Sequence, residues 1–139
     1  MRRSTTNAGF TLIEIMVVVF ILGLLVTLVA PKIIGRTDQA RVTKARADIK
    51  AIEESLHLFR LDNGFYPSTG EGLAALVTPP PNATNYNPDG YLDTVPLDPW
   101  GLEYAYFSDG RQIVIKSLGR DRIEGGEGYD ADITNVDFD

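Results

Sequence analysis

From Phe10 to Ala30 the chain runs through 21 positions whose sole charge is Glu14, and after Pro31 the apolar residues become spaced. At 1.5 Å per residue a helix of that length reaches roughly 30 Å, the thickness of a bilayer core, so the run predicts a membrane helix. Further on, Val42, Ala45, Ile49, Ile52, Leu56 and Phe59 recur at alternating steps of three and four, the spacing of one helix face. Arg46, Asp48, Lys50, Glu53 and Glu54 occupy the other faces. Together the two patterns predict one long helix from about residue 10 to about 61, stopped at Asn63-Gly64. Gly23 and Pro31 are where it is expected to bend or unwind, because proline removes a backbone donor and clashes with the preceding turn.

Residues 62 to 101 are dense in turn formers, among them Tyr66-Pro67, Pro79-Pro80-Pro81, Asn87-Pro88-Asp89-Gly90 and Asp98-Pro99. Only Leu73 to Val77 suits a short helix there, with Ser68, Thr69 and Glu71 as capping candidates. Phe65, Tyr66, Leu73, Leu76, Tyr91, Leu92 and Trp100 give this stretch apolar anchors, which makes it a structured loop, with Trp100 a core anchor. Glu103 to Phe107 and Gln112 to Ser117 bracket Asp109-Gly110, a hairpin signal. The fold class that results is α+β, a long helix packed on a small antiparallel sheet. His57, the single histidine, has no second ligand or nucleophile beside it and receives no role.

Charge divides the chain further. Residues 1–31 carry a balance of +1, residues 32–61 of +3 and residues 62–139 of −10. An acidic chain of net charge −6 lacks the basic face that phosphate binding needs, so nucleic acid is not expected as a partner. The absence of cysteine excludes a disulfide scaffold, a zinc finger and a thiol nucleophile, and 139 residues allow about one domain. No phosphate-binding loop and no paired-carboxylate constellation is visible, so an enzyme is not expected. Arg2 and Arg3 ahead of the apolar run place the N-terminus in the cytoplasm and the rest of the chain beyond the inner membrane. A secretory signal would have a shorter apolar region followed by a small-residue cleavage box, whereas Pro31-Lys32 follows Ala30 here.

Two features ask for chemistry. A charge at the centre of a membrane helix costs about 2.5 to 3.5 kcal/mol, and less near the interface where Glu14 lies. Glu14 either reaches the head groups or awaits a cation, such as the amino group that cleavage after Gly9 would create on Phe10 of a neighbouring chain. At the other end, the glycine-rich segment Leu118 to Ile133 holds Asp121, Glu124, Glu127, Asp130 and Asp132. It reads equally as a solvated acidic loop or as an oxygen-rich site for a hard cation such as calcium, although the spacing is not that of an EF-hand.

Gly9-Phe10-Thr11-Leu12-Ile13-Glu14 before an unbroken apolar helix resembles the class III signal of type IV pilins and pseudopilins. Tyr66-Pro67, Gly72-Leu73-Ala74-Ala75-Leu76 and Val95-Pro96-Leu97-Asp98-Pro99-Trp100-Gly101, with Tyr104 and Tyr106, resemble the major pseudopilin family of type II secretion, general secretion pathway protein G. The resemblance runs essentially end to end. It implies a leader, residues 1–9, removed by a prepilin peptidase that cuts after Gly9 and methylates Phe10. It further implies a transmembrane and assembly helix over residues 10–31 and a periplasmic head over residues 32–139 that includes the amphipathic helix to about 61.

In that family the helices polymerise into a pseudopilus, and Glu14 would neutralise the methylated amine of a neighbour. Minor pseudopilins, an inner-membrane assembly platform and a cytoplasmic ATPase are the implied partners. One calcium ion is implied in place of the disulfide common in pilins. Its ligands would be the main-chain oxygen of Leu118 and the side chains of Asp121, Asp130 and Asp132. A carbonyl from Gly126 to Tyr129 is a further candidate, and Glu124 and Glu127 are substitutes. The alternatives are a type IV pilin for adhesion, motility or DNA uptake, and a monomeric membrane-anchored periplasmic enzyme or calcium-binding module.

Overall fold

The computed structural model describes residues 9–138. The chain divides into two compact units between Thr37 and Asp38. The first unit contains the start of helix α1, Leu12–Asn63, and the stretch Leu12–Val29 within it is apolar and long enough to span a bilayer, with none of it buried. Helical structure continues through Gly23 and Pro31, so the expected unwinding at those positions is absent.

In the second unit the remainder of α1 carries the core stripe. Ala45, Ile49, Ile52, Leu56 and Phe59 are all fully buried, which is the face that the three-and-four spacing marked. Gly64 ends the helix in the left-handed region at φ 86°, and its N–H donates to Arg60 C=O at 2.8 Å. The Asn63 side-chain amide donates to Phe59 C=O, and that of Asn85 donates to Asp62 C=O, which gives two of the terminal carbonyls side-chain partners.

Against this stripe lies a three-stranded antiparallel sheet in the order β1 (Ala105–Ser108), β2 (Ile113–Ser117), β3 (Ile133–Thr134). The β1–β2 hairpin falls within the residues that the Asp109-Gly110 signal bracketed, with Tyr106 opposite Ile115 and Ser108 opposite Ile113. Strand β3 was not expected. It pairs Thr134 with Lys116 and Ile133 with Ser117, and returns the chain to the sheet after the acidic loop. The short helix near residue 73 is a single 3₁₀ turn, Leu73–Leu76, whose Leu73 and Leu76 join the core with Tyr66, Trp100, Tyr104 and Tyr106.

Candidate functional site

At the N-terminal end, Gly9 and Phe10 precede the helix and are exposed. Thr11 and Glu14 form a reciprocal cap: Glu14 N–H donates to Thr11 Oγ1 at 3.3 Å, and Thr11 N–H donates to Glu14 Oε2 at 3.4 Å. Glu14 is thus the fourth residue of a capping box, a role that the Thr-x-x-Glu spacing signalled and the sequence reading passed over. Its carboxylate is held at the N-terminal end of α1, one residue from the amide nitrogen of Phe10, where the helix dipole also favours negative charge.

The C-terminal loop hangs from a buried staple. Asp98 is 4% exposed; its Oδ1 accepts from Trp100 N–H at 3.0 Å and Leu102 N–H at 2.8 Å, and its Oδ2 accepts from Ser117 Oγ at 2.7 Å. The Asp-Pro-Trp-Gly segment is therefore a turn, closed by Gly101 at φ 89°, that is tied to the end of β2 where the loop begins. Trp100 is buried, as the anchor reading requires. Beyond Ser117 the chain doubles back tightly. A Cβ on Gly119 would meet Ala131 O at 2.7 Å, and one on Gly126 would meet Asp130 O at 2.4 Å, so both positions admit glycine alone.

The four residues proposed from the family resemblance as ligands have different surroundings. The guanidinium of Arg120 forks onto both oxygens of Asp130 at 2.8 and 3.0 Å, and its third nitrogen reaches Asp38 Oδ2 at 3.1 Å. That pairing holds the Asp130 carboxyl below its ordinary range and raises Arg120. Asp121 Oδ1 accepts from Ile123 N–H at 3.1 Å in an exposed turn. Lys116 Nζ lies 2.8 Å from Glu124 and 3.4 Å from Asp132 Oδ2, and the Glu124 bond leads in raising the lysine. Asp132 Oδ1 is buried with no hydrogen-bond partner, and the Leu118 carbonyl accepts no hydrogen bond among the described residues.

Among the described residues no three acidic or histidine side chains converge in a metal-holding group, so Asp121, Asp130 and Asp132 are not brought together as one cluster. The Asp132 oxygen without a partner and the open Leu118 carbonyl are oxygens left free in this loop, and both are donors of the kind a hard cation takes. Sequence reading missed Asp38, a buried carboxylate on α1 that Arg120 and Arg41 both reach. The hydrophilic spacing around Asp38 gave no signal for it, because its partner Arg120 lies 82 residues away.

A family model described as type II secretion system protein G matches residues 32–136, and one described as the prokaryotic N-terminal methylation motif matches residues 5–30. The chain is 53% identical to the type II secretion system core protein G of Pseudomonas aeruginosa over 94% of this chain and 96% of that one. It is 47% identical to the protein of the same name from Vibrio cholerae, over 97% and 95% respectively. A crystal structure of the major pseudopilin from the type 2 secretion system of enterohaemorrhagic Escherichia coli superposes with a TM-score of 0.65 at 39% identity, covering 76% of this chain and 94% of that one.

Proposed function

The chain belongs to the type II secretion system protein G family, and we propose that it is the major structural subunit of a secretion pseudopilus whose growth drives folded proteins across the outer membrane. The observation that carries this reading is a contrast along one helix. The stripe of Ala45, Ile49, Ile52, Leu56 and Phe59 is sealed into the core of its own head, whereas Leu12–Val29 is apolar except for Glu14 and Thr27 and none of it is buried. An apolar surface of that length must be covered by lipid or by other copies, and a helix that can exchange one for the other is a polymerising device. A surface pilus is not favoured, because the relatives matched over nearly the whole chain are secretion proteins. The role is structural, with no catalysis by this chain.

Cleavage after Gly9 and methylation of Phe10 by a prepilin peptidase fit the motif matched over residues 5–30. The chain then crosses the inner membrane once, with its N-terminus cytoplasmic and its head periplasmic, and Glu14 neutralises the methylated amine of a neighbour. Minor pseudopilins and the inner-membrane assembly platform are its partners. Mass spectrometry of the chain from cells that contain the peptidase should show a mature N-terminus at methylated Phe10. Glu14→Ala should leave the protein in the membrane and abolish fibres and secretion. An intact leader, or normal secretion by Glu14→Ala, would reject the reading.

A calcium ion in the C-terminal loop fits the same picture, with Asp132 and the Leu118 carbonyl as its first ligands and Asp121 and Asp130 completing the set. When bound, it supplies a cross-link between the two ends of a glycine-rich loop that has no disulfide. Arg120 would then share Asp130 with the ion. Chelation should lower the melting temperature of the full chain in detergent, and Asp132→Ala should remove the response to calcium. An unchanged melting curve with chelator would reject the site.

A further inference from the structure

Two stretches of strand that no neighbouring strand covers, one on β2 beyond the short β3 and one at the end of β1, are closed by side chains. Beside β2, Asn135 Nδ2 donates to Ile113 C=O at 3.2 Å and its Oδ1 accepts from Ile115 N–H at 2.9 Å. Beside β1, Thr69 Oγ1 accepts from Ser108 N–H at 2.9 Å and donates to Ser108 C=O at 3.1 Å. Asp109 N–H bonds Gln112 C=O at the mouth of the hairpin, so by the antiparallel alternation Ser108 and Tyr106 both turn their backbone groups away from β2. Thr69 covers the pair at Ser108, and a bridge from Leu97 covers Glu103. Between these two closures the N–H and C=O of Tyr106 have no partner among the described residues. Tyr106 also lines a cleft of about 290 Å³, together with Thr69, Glu71, Val95, Glu103 and Tyr104.

A gap one residue long is too short to accept an added strand, which needs a row of N–H and C=O groups, but it suits the head of one side chain. Its chemistry selects the head. Glu71 spends Oε2 on the N–H and hydroxyl of Ser68, which leaves Oε1 open, and Glu103 makes no side-chain bond among the described residues. Two carboxylates beside a free carbonyl are acceptors, and a guanidinium offers five donors and a full charge to them.

The same chain carries such a group. In the part of α1 beyond Thr37, Arg41, Lys44 and Lys50 are paired with Asp38, Asp48 and Glu53 of their own helix, and Arg60 lies over the Tyr66 ring. Arg46 is exposed and has no ion pair among the described residues. Residues 32–61 carry +3 and residues 62–139 carry −10, so helix and head of separate copies attract. We propose that the cleft at Tyr106 receives the Arg46 side chain of a second copy of this chain, between Glu71 and Glu103. This rests on the polymer reading above and names one of its contacts.

The chain has no cysteine, so introduced ones report without background. The full chain carrying Arg46→Cys and Glu103→Cys should give a ladder of oligomers with a short bis-maleimide, in membranes of cells that make the rest of the secretion system. Unsubstituted protein, treated in parallel with an amine-reactive cross-linker, reports polymerisation by itself. Glu103→Arg should reduce fibre yield at least fivefold with its circular dichroism unchanged, and adding Arg46→Glu should restore it. An amine ladder without a maleimide ladder overturns the docking and leaves the polymer standing; neither ladder overturns both. A maleimide ladder that forms with Arg111→Cys in place of Arg46→Cys, and not with Arg46→Cys, overturns the choice of arginine.

Discussion

At the scale of single residues, Asp98 does more than its place in a turn suggests. One carboxylate at 4% exposure satisfies Trp100 N–H, Leu102 N–H and Ser117 Oγ, which joins the loop before β1 to the end of β2. Replacing it with alanine strands these donors in the interior, at about 1 to 3 kcal/mol for each buried group left unpaired. Partial rehydration reduces the sum, and Asp98→Ala should cost about 2 to 4 kcal/mol in urea unfolding, a large part of a small domain's stability. Asp98→Asn keeps Oδ1 as an acceptor and should cost less; equal losses would show that charge, and not the acceptor geometry, is what matters. The turn itself was legible in Asp98-Pro99-Trp100-Gly101, and so was the burial of Trp100. The link to Ser117 was not, because a hydrogen bond across 19 residues leaves no periodic trace. Asp38 and Arg120 stayed hidden for the same reason.

At the scale of elements, the helix and the hairpin were legible because each imposes a period or a turn signal on the sequence. Leu12–Asn63 agrees with the expected span to within two residues at each end. Strand β3 was not legible: it is two residues long, and Ile133–Thr134 pairs only because the loop before it returns to β2. The hairpin also carries a pH dependence. Burial pushes the Tyr106 hydroxyl, which donates to Pro67 C=O at 2.8 Å, up to about 12. Burial, reinforced by its hydrogen bond to the Asp48 carboxylate, raises Tyr104 still more. A folded-state value above the unfolded one, near 10, means that the unfolded chain loses its proton first. The stabilisation is therefore complete below pH 10 and is lost as pH rises toward 12. Alkaline titration followed by tyrosinate absorbance and circular dichroism should show unfolding in that window. Tyr106→Phe should shift its onset upward, and an unchanged onset would remove Tyr106 as a cause.

At the scale of the whole molecule, the sequence averages conceal two stretches with opposite requirements. Among the described residues, all fifteen buried apolar residues of the core lie at Ala45 or beyond, while the exposed large apolar side chains are concentrated between Phe10 and Val29. The core therefore owes nothing to the membrane stretch, and a unit of about 100 residues is large enough to bury a core of its own. Removing residues 1–31 takes away a balance of +1 and leaves a head of net charge −7, whose self-repulsion opposes association. Residues 32–139 made alone should be soluble without detergent, unfold in one cooperative transition and sediment as a monomer at micromolar concentration. The contacts between heads, including that proposed for Arg46, are then too weak to assemble anything without the apolar helix, and they act by setting the register of copies already gathered by it. Fibres formed by the isolated head would reverse this order and make the head, not Leu12–Val29, the source of assembly.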